Sequence, residues 1–206
     1  MTDALIVFVK EPRPGRVKTR LAQSLGHERA AAAYRALAEA EIRGTAPAAA
    51  EYERRFFFAP AEARATITGW LGPLVAPEPC VCHPQDGADL GARMALAFEE
   101  CFARGARRVA IIGTDVPDCT RVHVNAAFAA LDAHDVALGP THDGGYYLLG
   151  LSRPRPELFD GIAWSTPAVL PATLARASSL GLRVALLETL RDVDTLDDWR
   201  ASGLER

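Results

Sequence analysis

Lysine is almost missing from this chain, because only two of its 23 basic residues are lysines. A basic excess is missing too, and the net charge of −3 argues against a general nucleic-acid or membrane-surface binder. The N-terminal apolar run, residues 4–9, is too short for a signal-peptide core or a membrane span. We therefore expect a cytoplasmic protein that binds any anionic partner locally.

Cysteine is scarce, and several catalytic motifs are absent from the sequence. A zinc site commonly needs a second cysteine pair, so Cys80 and Cys82 are expected to pack as small hydrophobic residues. They and the other two cysteines, Cys101 and Cys119, are expected to be reduced thiols. Without a Gly-x-Ser-x-Gly elbow, a Walker loop or a Rossmann glycine pattern, hydrolase, ATPase and dehydrogenase functions lack their usual chemistry.

Apolar strand-like runs alternate with helical patterns along the 206 residues. Strands are predicted at 4–9, 56–58, 79–83, 108–112, 135–138, 146–151 and 182–187. Helices are predicted at 20–43 with a break at Gly26, and at 61–71, 90–104, 120–131, 166–180 and 196–201. This pattern predicts a single α/β domain over residues 1–206, with three α/β/α layers and a mainly parallel sheet. In such a sheet, ligands bind beyond the carboxyl ends of the strands.

Both lysines lie in the loop that follows the first predicted strand. A strand, a turn loosened by Gly15 and a helix start present backbone N–H groups and cations to an anion. We therefore predict that Lys10, Gly15, Lys18 and Arg20 bind phosphate groups of a nucleotide. The alternative is a solvated basic loop without a ligand.

Carboxylates follow two of the later strands. Asp115 comes directly after a buried strand and suits Mg²⁺, which takes oxygen ligands from one or two carboxylates and from substrate phosphates. The alternative is that this loop only makes local caps, with Asp118 or Thr120 capping the next helix. After the last strand, Asp192 and Asp194 share a face in extended backbone, and either of them can complete a site for Mg²⁺ or Mn²⁺.

Two glycine-containing turns are further candidates. Asp143, Gly144 and Gly145 have the composition of a tight turn, but the glycines also let a substrate approach the backbone beside a carboxylate. At 85–89, Gln85 has an amide that can read a base edge, and Gly87 permits close approach. A plain turn followed by a helix cap at residue 89 is the alternative there.

These loops, in this order, resemble a known family. The matching motifs are Val-Lys-Glu-Pro with Gly-x-x-Lys-Thr-Arg-Leu at 9–21, Gln-x-Gly-x-Asp-Leu-Gly-x-Arg-Met at 85–94, Gly-Thr-Asp-x-Pro at 113–117, Asp-Gly-Gly-Tyr-Tyr-Leu-Leu-Gly at 143–150 and Asp-Val-Asp-Thr at 192–195. The chain resembles the DUF2064 group of glycosyltransferase-A-like proteins, also called radical-SAM/selenodomain-associated transferase 1. It is more distantly similar to 2-phospho-lactate and molybdenum-cofactor guanylyltransferases, which share the nucleotide-diphospho-sugar transferase fold.

The resemblance implies this glycosyltransferase-A (GT-A) type of fold and a set of roles. It implies phosphate binding by Lys10, Lys18 and Arg20, a divalent metal on Asp115 with Asp192 or Asp194, and a substrate role for the 143–145 turn. The chain departs from glycosyltransferases of this fold, which usually carry Asp-x-Asp, since the sequence after Asp115 is Val-Pro. The resemblance does not supply the substrate of the family.

The residues support three hypotheses about function. The first is Mg²⁺-dependent nucleotidyl transfer from a nucleoside triphosphate to a small phosphorylated acceptor, with Lys18 and Asp115 catalytic and pyrophosphate released. The second is glycosyl transfer from a nucleotide sugar to a small acceptor, in which Asp143 orients or deprotonates that acceptor. The third is a nucleotide-binding protein without turnover.

Overall fold

A single sheet runs through the computed structural model, which describes residues 2–48 and 51–204. Its strands are β1 (Ala4–Lys10), β2 (Glu53–Ala59), β3 (Cys82–Pro84), β4 (Val109–Ile112), β5 (Val136–Pro140), β6 (Tyr146–Leu151) and β7 (Val184–Leu186). The α-helices are α1 (Thr19–Leu25), α2 (His27–Gly44), α3 (Arg64–Val75), α4 (Leu90–Ala103), α5 (Arg121–Ala130), α6 (Val169–Ser179) and α7 (Leu196–Ala201). The predicted α/β class is confirmed.

The sheet has the order β3-β2-β1-β4-β6-β5-β7 and is mostly parallel, as predicted. The exception is β6, which lies between β4 and β5 and runs antiparallel to both. The carboxyl ends of the parallel strands therefore share one edge with the start of β6. This edge brings together loops that lie far apart in the sequence.

Helices cover both faces of the sheet, because the strands are apolar on both sides. Along β1, Leu5, Val7 and Val9 face one cluster, which contains residues of α2, α3 and α5. Ala4 and Ile6 face the other, which contains residues of α4, α6 and a short 3-10 helix at 156–159. The three predicted layers follow from this alternation.

Some boundaries differ from the sequence predictions. For the helix predicted at 61–71, the structure has a 3-10 turn at 61–63 followed by α3, which continues to Val75 and contains Pro73 near its C-terminal end. Thr120, and not Asp118, immediately precedes α5, and its N–H donates to His123 Nδ1 at 3.1 Å. The predicted domain over 1–206 includes residues 1, 49–50 and 205–206, which lie outside the described ones. Within the described part of the chain, no helix is long and apolar enough to cross a membrane.

Candidate functional site

The loop between β1 and α1 turns one lysine inward. Gly15 has φ +75° and Lys18 has φ 44° and ψ 48°, so both lie in the left-handed region, which is uncommon for a residue with a side chain. Val17 is buried and anchors the loop to the core. The Lys18 side chain is only 5% exposed, whereas Lys10 stays exposed at the end of β1.

Lys18 joins two acidic loops at the shared edge of the sheet. Its Nζ lies 2.7 Å from Asp115 Oδ1 and 2.9 Å from Asp194 Oδ1. Arg20 Nη1 contacts the other oxygen of Asp194 at 3.1 Å. Burial alone would lower the pKa of Lys18, but the two negative charges and their hydrogen bonds outweigh it and raise that pKa. Lys18 is therefore a charged ammonium that holds two carboxylates close together.

The backbone fixes the same arrangement. The N–H of Val193 donates to the carbonyl oxygen of Asp115 at 3.0 Å, which ties the acidic loop after β4 to the one that precedes α7. Helix α7 begins with a capping box, since the Asp198 N–H donates to Thr195 Oγ1 at 3.2 Å and the Thr195 N–H donates back to Asp198 Oδ2 at 2.9 Å. Asp194 is therefore held on a rigid helix start.

Asp192 has a different environment from Asp194. It forms no ion pair with Lys18, and its pKa is raised by burial first and then by the negative charge of Asp143. Of the two aspartates considered as partners of Asp115, the structure brings Asp194 to it through the lysine. Asp192 instead interacts electrostatically with Asp143 of the 143–145 turn.

Helix α2 braces this edge with two buried side chains that the sequence analysis did not identify. Tyr34 Oη accepts from the Lys10 N–H at 2.8 Å and shares a hydrogen bond with Thr114 Oγ1 at 2.9 Å. Seven residues on, Glu41 Oε2 accepts from the Val116 N–H at 2.9 Å. Burial raises the pKa of Glu41 well above its usual value. A tyrosine and a glutamate at this spacing, on the apolar face of an alanine-rich helix, are the signal that could have located the brace.

Replacing Tyr34 by Phe tests the brace. The change leaves the Lys10 N–H without its partner, so we expect a loss of about 1 to 3 kcal/mol in the free energy of unfolding. Tyr52→Phe is the matched control, because the Tyr52 hydroxyl is also buried and donates to the Thr45 carbonyl at 2.7 Å. Urea denaturation should reveal a loss in both variants, whereas only Tyr34→Phe should weaken nucleotide binding in calorimetry. Equal binding by the two variants would contradict a role for the brace in the site.

The turn between β5 and β6 is organised by its own carboxylate. Asp143 Oδ1 accepts from Thr141 Oγ1 at 2.6 Å and from the Gly145 N–H at 3.0 Å. Asp143 and Gly145 line the central cleft. At position 144 packing requires a glycine, because a Cβ there would lie 2.2 Å from the Pro167 carbonyl oxygen.

We expect Gly144→Ala to destabilise the protein much more than a matched glycine change. Gly105 has nearly the same φ, +90° against +91°, but a Cβ on it would have nothing within 4 Å. Gly105→Ala should therefore cost only the conformational term, about 1 kcal/mol. Gly144→Ala should cost roughly 2 kcal/mol more, because the Pro167 backbone must move. Thermal and chemical unfolding measure both, and equal losses would show that the contact is easily relieved.

The loop after β3 is tied to the protein itself. Gln85 Nε2 donates to the Phe57 carbonyl at 2.9 Å, and Gln85 lines the central cleft. Gly87 has φ +129°, and a Cβ there would lie 2.7 Å from the Arg93 backbone nitrogen. Asp89 caps α4, as the alternative interpretation of this loop predicted, by accepting from the Ala92 N–H at 2.8 Å. Gln85 is thus at the site, and Gly87 supports the turn beside it.

These loops surround a cleft of about 850 Å³. Its predicted residues are Lys10, Arg20, Gln85, Asp115, Asp143, Gly145 and Asp194. Other side chains that line it are Phe8, Tyr34, Leu90, Arg93, Met94, Tyr146 and Trp164. The cleft is therefore lined by charged residues of the loop after β1 and of the acidic loops, and by mainly apolar residues of the start of α4 and the segment before α6.

The carboxylates of this site can be compared with the ligands that a metal ion needs. In the described residues, no group of three or more His, Cys, Asp or Glu side chains is assembled for a metal ion. Two carboxylates nevertheless converge on one ammonium, within 2.9 Å, from Asp115 and Asp194. Since Mg²⁺ typically uses one or two carboxylates together with substrate phosphates, this pair fits a metal that arrives with a nucleotide.

Comparisons with known proteins agree with this fold. The family model described as "Uncharacterized protein conserved in bacteria (DUF2064)" matches residues 42–166. A proposed nucleotide-diphospho-sugar transferase from Desulfovibrio desulfuricans G20 is 34% identical, with 98% of this chain and 87% of that chain covered and a TM-score of 0.88. No curated protein matches the chain.

More distant structures share only the fold. A nucleotidyl transferase from Methanothermobacter thermautotrophicus is 14% identical, covers 98% of this chain and 96% of its own, and has a TM-score of 0.62. The Mycobacterium tuberculosis H37Rv protein Rv0371c, in a complex with manganese, is 16% identical, covers 97% of both chains and has a TM-score of 0.52. Because the family model covers more than half of the sequence and the Desulfovibrio structure matches nearly all of it, this chain belongs to the DUF2064 family.

Proposed function

We propose that this protein is a nucleotidyltransferase that joins a nucleoside monophosphate, taken from a nucleoside triphosphate, to a small phosphorylated acceptor. The observation that carries the proposal is the position of Lys18, buried and in contact with Asp115 and Asp194, which both line the cleft. A transferase is further supported by the Desulfovibrio relative and by the nucleotidyl transferase that shares the fold.

The chemistry requires no protein nucleophile. An oxygen of the acceptor phosphate attacks the α-phosphorus, the bond from that phosphorus to the bridging oxygen breaks, and pyrophosphate leaves with the electron pair. Catalysis then depends on positioning and on charge stabilisation. Lys10 and Arg20 lie at the cleft, where their cations can neutralise the triphosphate.

Asp115 and Asp194 are the residues that would hold Mg²⁺ or Mn²⁺. When bound, the metal supplies Lewis-acid stabilisation of phosphate charge. Lys18 then exchanges carboxylate partners for phosphate oxygens, which it can do because both are anionic hydrogen-bond acceptors. Hydrogen bonds from Tyr34 to the Lys10 N–H and from Glu41 to the Val116 N–H hold the end of β1 and the loop of Asp115 in place during this exchange.

The decisive assay separates two products. The protein is incubated with Mg²⁺ or Mn²⁺, each nucleoside triphosphate or nucleotide sugar, and a panel of phosphorylated acceptors. Release of pyrophosphate supports the proposal. A thermal-shift panel identifies the preferred nucleotide first, since a ligand at 100 times its Kd stabilises the folded state by about 2.7 kcal/mol.

A second candidate is glycosyl transfer from a nucleotide sugar. It is favoured by the name of the Desulfovibrio relative and by Asp143, whose carboxylate lies at the cleft and can act on an acceptor hydroxyl. Release of a nucleoside diphosphate in the same assay would support it. Nucleotide binding with neither product would support a binding protein without turnover.

A further inference from the structure

One wall of the cleft is formed by the start of α4 and the segment before α6. Trp164 packs so closely on the first turn of α4 that a Cβ on Gly91 would lie 2.4 Å from its indole Nε1. At the other end of this segment, the Leu170 N–H donates to the Gly144 carbonyl at 2.9 Å. The chain between them contains Ser165 with φ 62°, a left-handed conformation that persists only where the surroundings impose it.

Arg93 is a positively charged residue in this wall of the cleft. Its Nε donates to the Gly87 carbonyl at 3.2 Å, which fixes the guanidinium plane. Over residues 2–48 and 51–204, no carboxylate lies within ion-pair distance of it, whereas Lys18 and Arg20 are both paired. The two Nη groups of Arg93 make no hydrogen bond with these residues, and Arg93 lines the cleft.

A guanidinium with one edge fixed and the other open is suited to a phosphate. Its parallel N–H groups bind two oxygens of a phosphate or carboxylate at once, which a lysine cannot do. Leu90, Met94 and Trp164 surround the same part of the cleft with apolar surface. An anion bound there would be partly shielded from water, and this strengthens its contact with the guanidinium.

We propose that Arg93 binds the phosphate of the acceptor, and that Trp164 and Leu90 pack against an apolar or aromatic part of the same molecule. This inference rests on the proposed function and names the acceptor class, a phosphomonoester with an apolar body. Two terminal oxygens of its phosphate contact Arg93, and the third remains for attack on the α-phosphorus. The P–O bond that forms replaces the one lost to pyrophosphate, so the reaction balances without a further reactant.

The test uses phenyl phosphate as the probe. The full chain is saturated with Mg²⁺ and a triphosphate analogue that cannot be cleaved between the α and β phosphorus, and phenyl phosphate is then titrated by calorimetry and tryptophan fluorescence. Trp164 is the reporter, because it lines the cleft whereas Trp70 and Trp199 do not. In Trp164→Phe the fluorescence change should disappear while the heat of binding persists.

Three arginine variants give the expected pattern. Arg93→Met should weaken phenyl phosphate binding about 10- to 100-fold, as expected for the loss of a charged hydrogen-bond pair, and should change nucleotide affinity less than about threefold. Arg93→Lys keeps the charge without the fork and should restore only part of the affinity. Arg104→Met is the control, since Arg104 lies at the far end of α4 and pairs with Glu100, and it should leave both affinities unchanged.

Each contrary outcome has a separate meaning. If the analogue fails to bind the wild-type protein, the proposed function is overturned, and the acceptor role of Arg93 with it. If the analogue binds but phenyl phosphate does not, only the acceptor site is overturned. If Arg93→Met and Arg93→Lys weaken the binding of the triphosphate analogue but leave the binding of phenyl phosphate unchanged, Arg93 belongs to the nucleotide site and the inference is wrong.

Discussion

Replacing Asp115 by Asn should lower the rate of pyrophosphate release by about 100- to 1000-fold, the loss expected when one preorganised group that stabilises transition-state charge is removed. The amide has nearly the same shape, so the loop and its hydrogen bond from Val193 should persist. What is lost is a negative charge 2.7 Å from Lys18 and one of the two carboxylates that fit a metal. Initial rates at saturating nucleotide, with Mg²⁺ and with Mn²⁺, measure the effect.

Asp118→Asn is the matched control for this prediction. Asp118 lies in the same loop, is exposed and does not line the cleft, so its substitution should leave the rate within about a factor of two, as for most surface changes. Nucleotide affinity is measured in parallel by calorimetry. If Asp115→Asn keeps the wild-type rate while the protein stays folded, the carboxylate has no part in the reaction.

Much of this site could be predicted because it depends on local order along the chain. Apolar runs locate the strands, and the parallel arrangement then sends the residues after them to one edge. The meeting of Asp115 with the loop after β1 could be predicted in this way. The choice between Asp192 and Asp194 could not be made, because it depends on which side chain the inward turn of Lys18 reaches.

The parts that escaped prediction involve contacts distant in the sequence. Strand β6 pairs antiparallel with β4. A local apolar pattern does not show which strands pair or in which direction, so this arrangement could not be predicted. Tyr34 and Glu41 look like ordinary helix residues until β1 and the loop after β4 lie beside them. Likewise, Gly144 suggested a tight turn or close approach of a substrate, whereas the Pro167 carbonyl occupies the space beside it.

Lys18→Met should have opposite effects on metal binding and on catalysis. In the folded protein the ammonium lies where a cation would contact Asp115 and Asp194, so a metal must compete with it. Its removal should tighten the binding of Mn²⁺ alone by about tenfold, equal to 1.4 kcal/mol. Turnover should fall by about 100- to 1000-fold, because the same ammonium is needed on the phosphates.

Stability gives an independent measure of the same contact. In Lys18→Met, Asp115 loses its ion-pair partner, whereas Asp194 keeps Arg20. Because Asp115 is 51% exposed, we expect a loss of about 1 to 2 kcal/mol and not the roughly 3 to 5 of a fully buried pair. The pKa of Lys18 is raised above its usual 10.5, so the wild-type contribution is complete below that pH and is lost only as pH rises through the higher, folded-state value. The difference in unfolding free energy should therefore be constant between pH 6 and 9.

Lys10→Met tests whether the two lysines of the loop after β1 have different roles. Lys10 is exposed and pairs with no carboxylate in the described part of the chain. Its loss should therefore leave the affinity for Mn²⁺ alone unchanged but should weaken the binding of the nucleotide. If Lys18→Met instead binds Mn²⁺ more weakly than the wild type, the ammonium supports the carboxylates for the metal and does not compete with it. The exchange of partners proposed for Lys18 would then be wrong, even if the enzyme were inactive, because loss of activity alone cannot distinguish a competing cation from a structural one.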